Sequence, residues 1–339
     1  MSRKKEVSIR QIAKECGVST ATVSRVINDP DKVSEATRNK IISILESYNY
    51  SASTEKKPFT ILDTPLKIGI LITSSISFYY TELLQNIYSY FMERGVLVVS
   101  ANTQEWEDYV PSALESLYTS NVSGIIMISC DYYSLRDLLK PEIPCVWIDC
   151  NDPPEDSEGI PQVQTDHYVS GQLAAQELIN KGCRTPIILT SADPTHRGWD
   201  RINGFRSIME KHGLEMKKEQ IVYLPYIKHH FLESRDMVQY LITKGMDFDS
   251  IFAINDWRSL GALVGVQNCG LTVPKDIRIV GFDGISMVCN TIMNITSIQQ
   301  NTRLLARNAC TLLEKQLYRE KSEELRIIVP PNLVVGQTT

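Results

Sequence analysis

From about residue 65 to the end, short apolar runs alternate with amphipathic stretches, and that rhythm leaves few folds open. Runs at 68–72, 96–100, 124–128 and 145–148 read as buried strands, with helical patterns at 81–94 and 109–120 between them. The order continues with a helix at 172–181, a strand at 186–190, a helix at 201–212 and a strand at 221–224. A helix at 232–244, a strand at 250–254, a helix at 258–268, a strand at 277–281 and a helix at 302–319 complete it. Strands that alternate with helices build parallel, doubly wound sheets with helices on both faces, and there are enough strands here for two. The expected class of this part is therefore α/β.

The first fifty residues follow another pattern. Ser8-Ile-Arg-Gln11 is a capping box, with Ile9, Ile12 and Ala13 following at helical spacing. Gly17 ends that helix, because the position after a last turn favours a residue free to take positive φ. Ser19 caps a second helix, 20–27, with Val23, Val26 and Ile27 on one side. Ser34 caps a third, 35–48, which turns Ile41, Ile42 and Leu45 inward. Helix, tight turn and helix make a helix-turn-helix. The outward face of the second helix carries Thr20, Ala21, Thr22, Ser24, Arg25 and Asn28. Such a face suits the major groove, where a guanidinium binds guanine and small side chains meet a thymine methyl. The same residues would also serve as the solvated face of a three-helix bundle.

Charge divides the chain at the same place. Residues 1–57 carry eleven Lys and Arg against seven Asp and Glu, whereas the rest carries 24 against 33. A basic head on an acidic body puts the head next to any polyanion. At 339 residues two or three domains are expected. No apolar run approaches eighteen residues, and no apolar segment follows the basic N-terminus, so neither a membrane span nor a secretory signal is expected. The eight cysteines form no CxxC and keep no His cluster, which fits reduced thiols in a cytoplasmic protein and no metal site.

In doubly wound sheets ligands sit beyond the C-terminal strand ends. Thr73-Ser74-Ser75 and Phe78-Tyr79-Tyr80 follow the first strand, Asn255-Asp256-Trp257 follow the strand at 250–254, and Asp283 follows 279–281. Carboxylates, an amide and aromatic faces suit a polyhydroxylated ligand, although strand-end Asn and Asp also serve as helix caps. There is no phosphate-binding Walker loop, GxGxxG, HExxH or GxSxG elbow, and the adjacent His229-His230 cannot ligate from one helix face. No enzyme activity and no cofactor are expected.

The segment 8–28 with Val33-Ser-Glu-Ala-Thr-Arg38 resembles the headpiece of the lactose-repressor family of transcriptional regulators. Val163-Gln-Thr-Asp166 with Gly171, Arg201-Ile-Asn-Gly204-Phe205, Ala253-Ile-Asn-Asp256 and Val280-Gly-Phe-Asp283 resemble its effector domain, in the family's order. The resemblance implies a three-helix headpiece at 1–50, a linker at 51–65, and a two-lobed domain like a periplasmic binding protein. Its first lobe would comprise 66–181 and 299–326, its second 182–298 and 327–339. Thr20, Ala21 and Arg25 would face base edges, with Ser8, Ser19, Thr22, Ser24, Asn28 and Lys32 on phosphates. Phe78, Tyr79, Arg201, Asn255, Asp256, Trp257 and Asp283 would line the effector cleft. A homodimer on double-stranded operator DNA follows, probing half-sites of a pseudo-palindrome, with a carbohydrate effector controlling affinity. The alternative is a catabolite-control regulator whose corepressor is a phosphocarrier protein.

Three places depart from the family. The hinge stretch reads Ala52-Ser-Thr-Glu-Lys56-Lys57-Pro58-Phe59, where Pro58 interrupts a helix and Phe59 stands at the wedge leucine. His167 stands where Asn is common. Arg197-Gly-Trp199-Asp200 matches nothing in the family pattern; Trp199 and Trp257 read equally as stacking walls or as core.

Overall fold

The computed structural model describes residues 13, 16–19, 22–23, 37, 41, 60–61, 64–73, 77–103, 107–150, 159–191, 196–224, 229–285, 293–322 and 324–339. The chain divides into two compact units, Met1–Pro58 and Phe59–Thr339. In the first, Ala13, Cys16, Val23 and Ile41 are buried. Gly17 has φ +66°, and the Val18 amide donates to the Ala13 carbonyl at 3.0 Å. That is a helix closed by a left-handed residue, as the position of Gly17 requires. Ser19 then caps the next helix: its Oγ accepts from the Thr22 amide at 3.1 Å.

The second unit contains two six-stranded sheets among the described residues. The first is built from β1 (Lys67–Ile72), β2 (Leu97–Asn102), β3 (Gly124–Ile128), β4 (Cys145–Ile148), β5 (Gln162–Thr165) and β11 (Arg326–Val329). The second is built from β6 (Pro186–Ser191), β7 (Ile221–Leu224), β8 (Ser250–Ala253), β9 (Arg278–Asp283), β10 (Thr296–Gln299) and β12 (Asn332–Val334). Their orders are β11-β5-β4-β3-β1-β2 and β12-β10-β9-β8-β6-β7. Every pairing is parallel except β12 with β10. Helices cover both faces, which is why β1, β3 and β8 read as unbroken apolar runs.

Those helices are α1 (Phe78–Met92), α2 (Val110–Thr119), α3 (His167–Asn180), α4 (His196–Lys211), α5 (His230–Thr243), α6 (Asp256–Asn268) and α7 (Thr302–Leu317). Polar residues at strand ends start several of them. Ser77 accepts from the Tyr80 amide, Asp166 from Val169, Asn255 from Arg258 and Asn301 from Leu304. No helix among the described residues is long and apolar enough to cross a membrane.

The chain crosses between sheets after β5, after β10 and between β11 and β12. The first crossing corrects the lobe boundary expected at 181. Ala174, Ala175 and Leu178 of α3 share a core with Ile188, Phe205, Phe252 and Phe282 of the second sheet and its helices. Helix α3 therefore belongs to the second lobe, which begins near 166. The apolar face of α3 matches Phe205 and its neighbours on α4, and periodicity alone does not say which sheet a helix covers. Strand β11 likewise pairs with β5 of the first sheet, so the last crossing falls after Val329 rather than at 327. Helix α7 packs as expected on the first lobe, where Leu305, Ala309 and Leu313 join its core.

Candidate functional site

The C-terminal ends of strands from both sheets meet at the boundary between the two lobes, where Asp149 and Ser129 of the first approach Arg197 of the second. Phe78 on α1 and Trp257 on α6 stack across it, ring centroids 5.7 Å apart and planes 24° from parallel. Trp257 thus bridges the lobes. Trp199 instead lies 39% exposed and contacts Tyr223 at 6.5 Å.

Two residues after strand ends of the first lobe hold left-handed backbone, Ser129 at φ 54° and Asp149 at φ 51°. Such conformations in non-glycine residues concentrate where the fold overdetermines them, often at functional sites. Asp149 is wholly buried, and its Oδ2 accepts from the Tyr79 hydroxyl at 2.8 Å. Arg197 Nη1 of the second lobe lies 3.4 Å from the same oxygen, and His167 Nε2 lies 3.5 Å from Oδ1. Burial alone would raise the Asp149 carboxyl, but His167, Arg197 and Tyr79 together hold it well below the usual carboxylate range. Burial, then Asp149, pushes the Tyr79 hydroxyl well up, so it stays a donor.

Arg201 donates from Nε to His167 Nδ1 at 3.2 Å and from Nη1 to the Ile254 carbonyl at 2.8 Å. Its guanidinium lies 3.7 Å from the centroid of the Phe282 ring, a cation–π contact. Since Arg201 can only donate, His167 Nδ1 is the acceptor and Nε2 carries the proton toward Asp149. Asp283 ends β9 with φ 113°, and its Oδ1 accepts from Gln300 Nε2 at 2.8 Å. Gln300 in turn accepts from Thr165 Oγ1 at 2.7 Å, tying the first and second crossings together. Burial and the nearby Asp256 charge push the Asp283 carboxyl up, with Arg201 opposing them.

The structure separates the expected site residues. Phe78, Tyr79, Arg201, Trp257 and Asp283 come together at the lobe boundary. Asp256 is fully buried behind it, where Oδ2 accepts from the Ile285 amide at 2.7 Å and Oδ1 from Ser297 Oγ at 2.6 Å. Its carboxylate holds the fold. Asn255 caps α6 and its Nδ2 meets His230 Nδ1 at 3.2 Å, so the cap alternative describes it. Ser19 and Thr22 are joined through their hydroxyls at 2.8 Å. Ser8, Thr20, Ala21, Ser24, Arg25, Asn28 and Lys32, with the hinge at 52–59, lie outside the described residues. Sequence reasoning passed over Asp149 and Gln300. Asp149 follows the apolar run at 145–148, the same strand-end signal that picks out Asp283.

His167 predicts a pH dependence. Burial first, then the Arg201 charge, pushes it down to about 4 although Asp149 pulls it up. The unfolded chain binds this proton near 6.5, the folded one only near 4, so stability present above 6.5 is lost as pH falls between them. Wild type should lose about 2 kcal/mol from this group between pH 7 and pH 5. The loss should vanish in His167→Asn, compared by urea unfolding at both pH values. Equal slopes in the two proteins would remove His167 as the cause.

Residues 8–53 match the family described as bacterial regulatory proteins, lacI family, and residues 175–339 match the periplasmic binding protein-like domain. The HTH-type transcriptional repressor PurR of Pasteurella multocida is 28% identical over 338 residues, 98% of each chain. The ribose operon repressor of Escherichia coli strain K12 is 28% identical, covering 96% of this chain and 98% of that one. Among solved structures, a transcriptional regulator CelR–cellobiose complex superposes with TM-score 0.70 at 24% identity, over 98% of this chain and 100% of the other. The lac repressor dimer bound to operator and the anti-inducer ONPF gives TM-score 0.70 at 21% identity, over 98% and 99%. These two structures share the fold.

Proposed function

The chain belongs to the lacI family of bacterial regulatory proteins, a DNA-binding repressor with an effector domain, and on that premise we propose that its effector is a carbohydrate bound between the lobes. The protein in this reading is a homodimeric repressor of carbohydrate-metabolism genes, with a headpiece at 1–50 and a linker at 51–65. The observation that carries the reading is Arg201 on α4, its guanidinium 3.7 Å from the centroid of the Phe282 ring next to Asp283 at the end of β9, together with the Phe78–Trp257 stack between the lobes. A fork of donors and a carboxylic acid match vicinal hydroxyls, and aromatic faces cover a sugar's C–H surface. Two of the names point the same way: one relative is a ribose operon repressor, and one similar structure holds cellobiose. The open edge of the first sheet supports pairing between copies, since Leu97 on β2 is 56% exposed and Met92 beside it 72%.

A ligand shifts operator affinity only through different affinities for the two states of the protein. The test is an electrophoretic shift on duplexes that the purified protein selects from random DNA, with and without a panel of sugars. Arg25→Ala should relax preference among sequences, whereas Lys32→Ala should weaken all of them alike. One sugar class should change the bound fraction for wild type and not for Asp283→Ala. A response that survives Asp283→Ala would place the effector elsewhere.

A further inference from the structure

The two lobes are joined at their crossings and again away from them. At the crossings, Thr165 donates to Gln300 at 2.7 Å and the Asp166 amide to the Val329 carbonyl at 3.0 Å. Bonds there lie close to the axis about which the lobes would turn, so a hinge motion spares them. Contacts further along the sheets must break. In the first sheet β4, β3 and β1 stand successively further from the crossing strand β5, each step being about 4.8 Å. Asp149 follows β4, Ser129 follows β3, and Phe78 opens the helix after β1.

One side chain of the second lobe reaches the first two of these. Arg197, in the first turn of α4, places Nη1 3.4 Å from Asp149 Oδ2 and Nη2 3.4 Å from Ser129 Oγ. The side chains of the ion pair are 11% and 1% exposed, so solvent screens it little. Burial would lower the Arg197 guanidinium, but Asp149 outweighs burial and holds it above its ordinary value. The first-lobe end of the contact is itself fixed. Tyr79 donates to Asp149 at 2.8 Å, Tyr80 shares a 2.7 Å hydrogen bond with Ser129 Oγ, and Thr73 Oγ1 donates to the Ser129 carbonyl at 2.6 Å. Further out still, Phe78 stacks on Trp257. Ile285 of the second lobe is buried in one apolar cluster with Ile72 and Tyr79 of the first.

We infer that Arg197 is a built-in tether: through Asp149 and Ser129 it holds the lobes together by the chain's own charges, so that closure does not wait for an effector. Two-lobed binding domains commonly turn about a hinge and close around a ligand. Here an ion pair placed off the hinge supplies part of the closing free energy, and an effector acts on lobes already biased toward one state. The inference goes beyond the carbohydrate reading and stands whatever the chemistry of the effector.

The test is fluorine NMR of the full-length protein labelled with 5-fluorotryptophan, with no sugar added. Trp257→Phe assigns the Trp257 signal, and Phe78→Ala gives its position once the stack is lost. Arg197→Gln should move that signal roughly half or more of the way to the Phe78→Ala position, as a tenfold or greater weakening of the closed state would. Arg197→Lys should move it less, because lysine keeps the charge and loses the fork. Asp149→Asn breaks the ion pair from the other lobe and should move the signal in the same direction. Trp147, buried in the first lobe, should keep its signal in both Arg197 variants. If it moves in the glutamine variant, that protein folds poorly, and the lysine and asparagine variants decide by the same comparison. A Trp257 signal unmoved by loss of the ion pair would overturn the inference. So would a shift in Arg197→Gln with none in Asp149→Asn, because the effect would then lie outside the pair.

Discussion

Gly204→Ala should cost the folded protein about 3 kcal/mol or more, near or beyond the top of the range for overpacking a core. Helices α3 and α4 approach so closely that a Cβ on Gly204 would lie 1.9 Å from the Tyr168 carbonyl oxygen. One on Gly171 would lie 2.0 Å from the carbonyl oxygen of Arg201. Both obstacles are backbone, so no side-chain rotation makes room and the helices must separate. Separation would also pull His167 away from Arg201, because their 3.2 Å hydrogen bond joins these two helices. Effector response should therefore fall along with stability. Urea unfolding measures the first, and Gly213→Ala supplies the comparison: Gly213 has φ +72° but nothing within 4 Å of an added Cβ. That substitution pays only for the left-handed backbone, roughly 1 kcal/mol. A Gly204→Ala cost no greater than that of Gly213→Ala would show that the helix pair yields easily.

Removing the Asp149 carboxylate should be comparably damaging. Asp149→Ala takes the carboxylate away from Arg197, His167 and the Tyr79 hydroxyl, and breaking one partner of a buried ion pair costs about 3–5 kcal/mol. Asp149→Asn should cost less, because asparagine accepts from Tyr79 and tolerates the left-handed φ of 51°. The double variant Asp149→Asn with Arg197→Gln should recover part of the single-variant loss, since it removes both charges at once. The carboxyl is held well below its ordinary value, so its contribution is present above about 3.8 and lost as pH falls below it. Acid unfolding should accordingly begin at higher pH in any background that lacks Arg197. Additive losses in the double variant would mean that the two groups are not coupled between the lobes.

The helix-turn-helix pattern and the strand–helix rhythm are legible in the sequence because both depend on local periodicity. Gly17 after a helix and Ser19 before one act within a few residues, and the backbone obeys them. Asp283 is legible for another reason: doubly wound sheets place their ligands beyond strand ends, so a charged residue there is conspicuous, whereas Arg201, inside α4, is pointed to only by the family resemblance. That same rule offers Asn255 and Asp256, which the fold spends on a helix cap and on the bonds to Ile285 and Ser297. A cap and a ligand contact demand the same short polar side chain, so residue type cannot separate them.

Long-range assembly is where the sequence falls silent. Whether α3 covers the first sheet or the second depends on how its apolar face fits Phe205 and Phe282, residues tens of positions away. Asp149, His167 and Arg197 lie on a strand end, a crossing and a helix, with no spacing between them to notice. Only the crossing of the chain after β5 sets His167 between Asp149 and Arg201, and only burial makes their charges matter. The sequence by itself determined the helix-turn-helix pattern and the α/β class, because short-range patterns encode those. The tertiary structure alone decided which acids meet between the lobes and which hold the fold, because that choice rests on contacts between segments that share no local pattern.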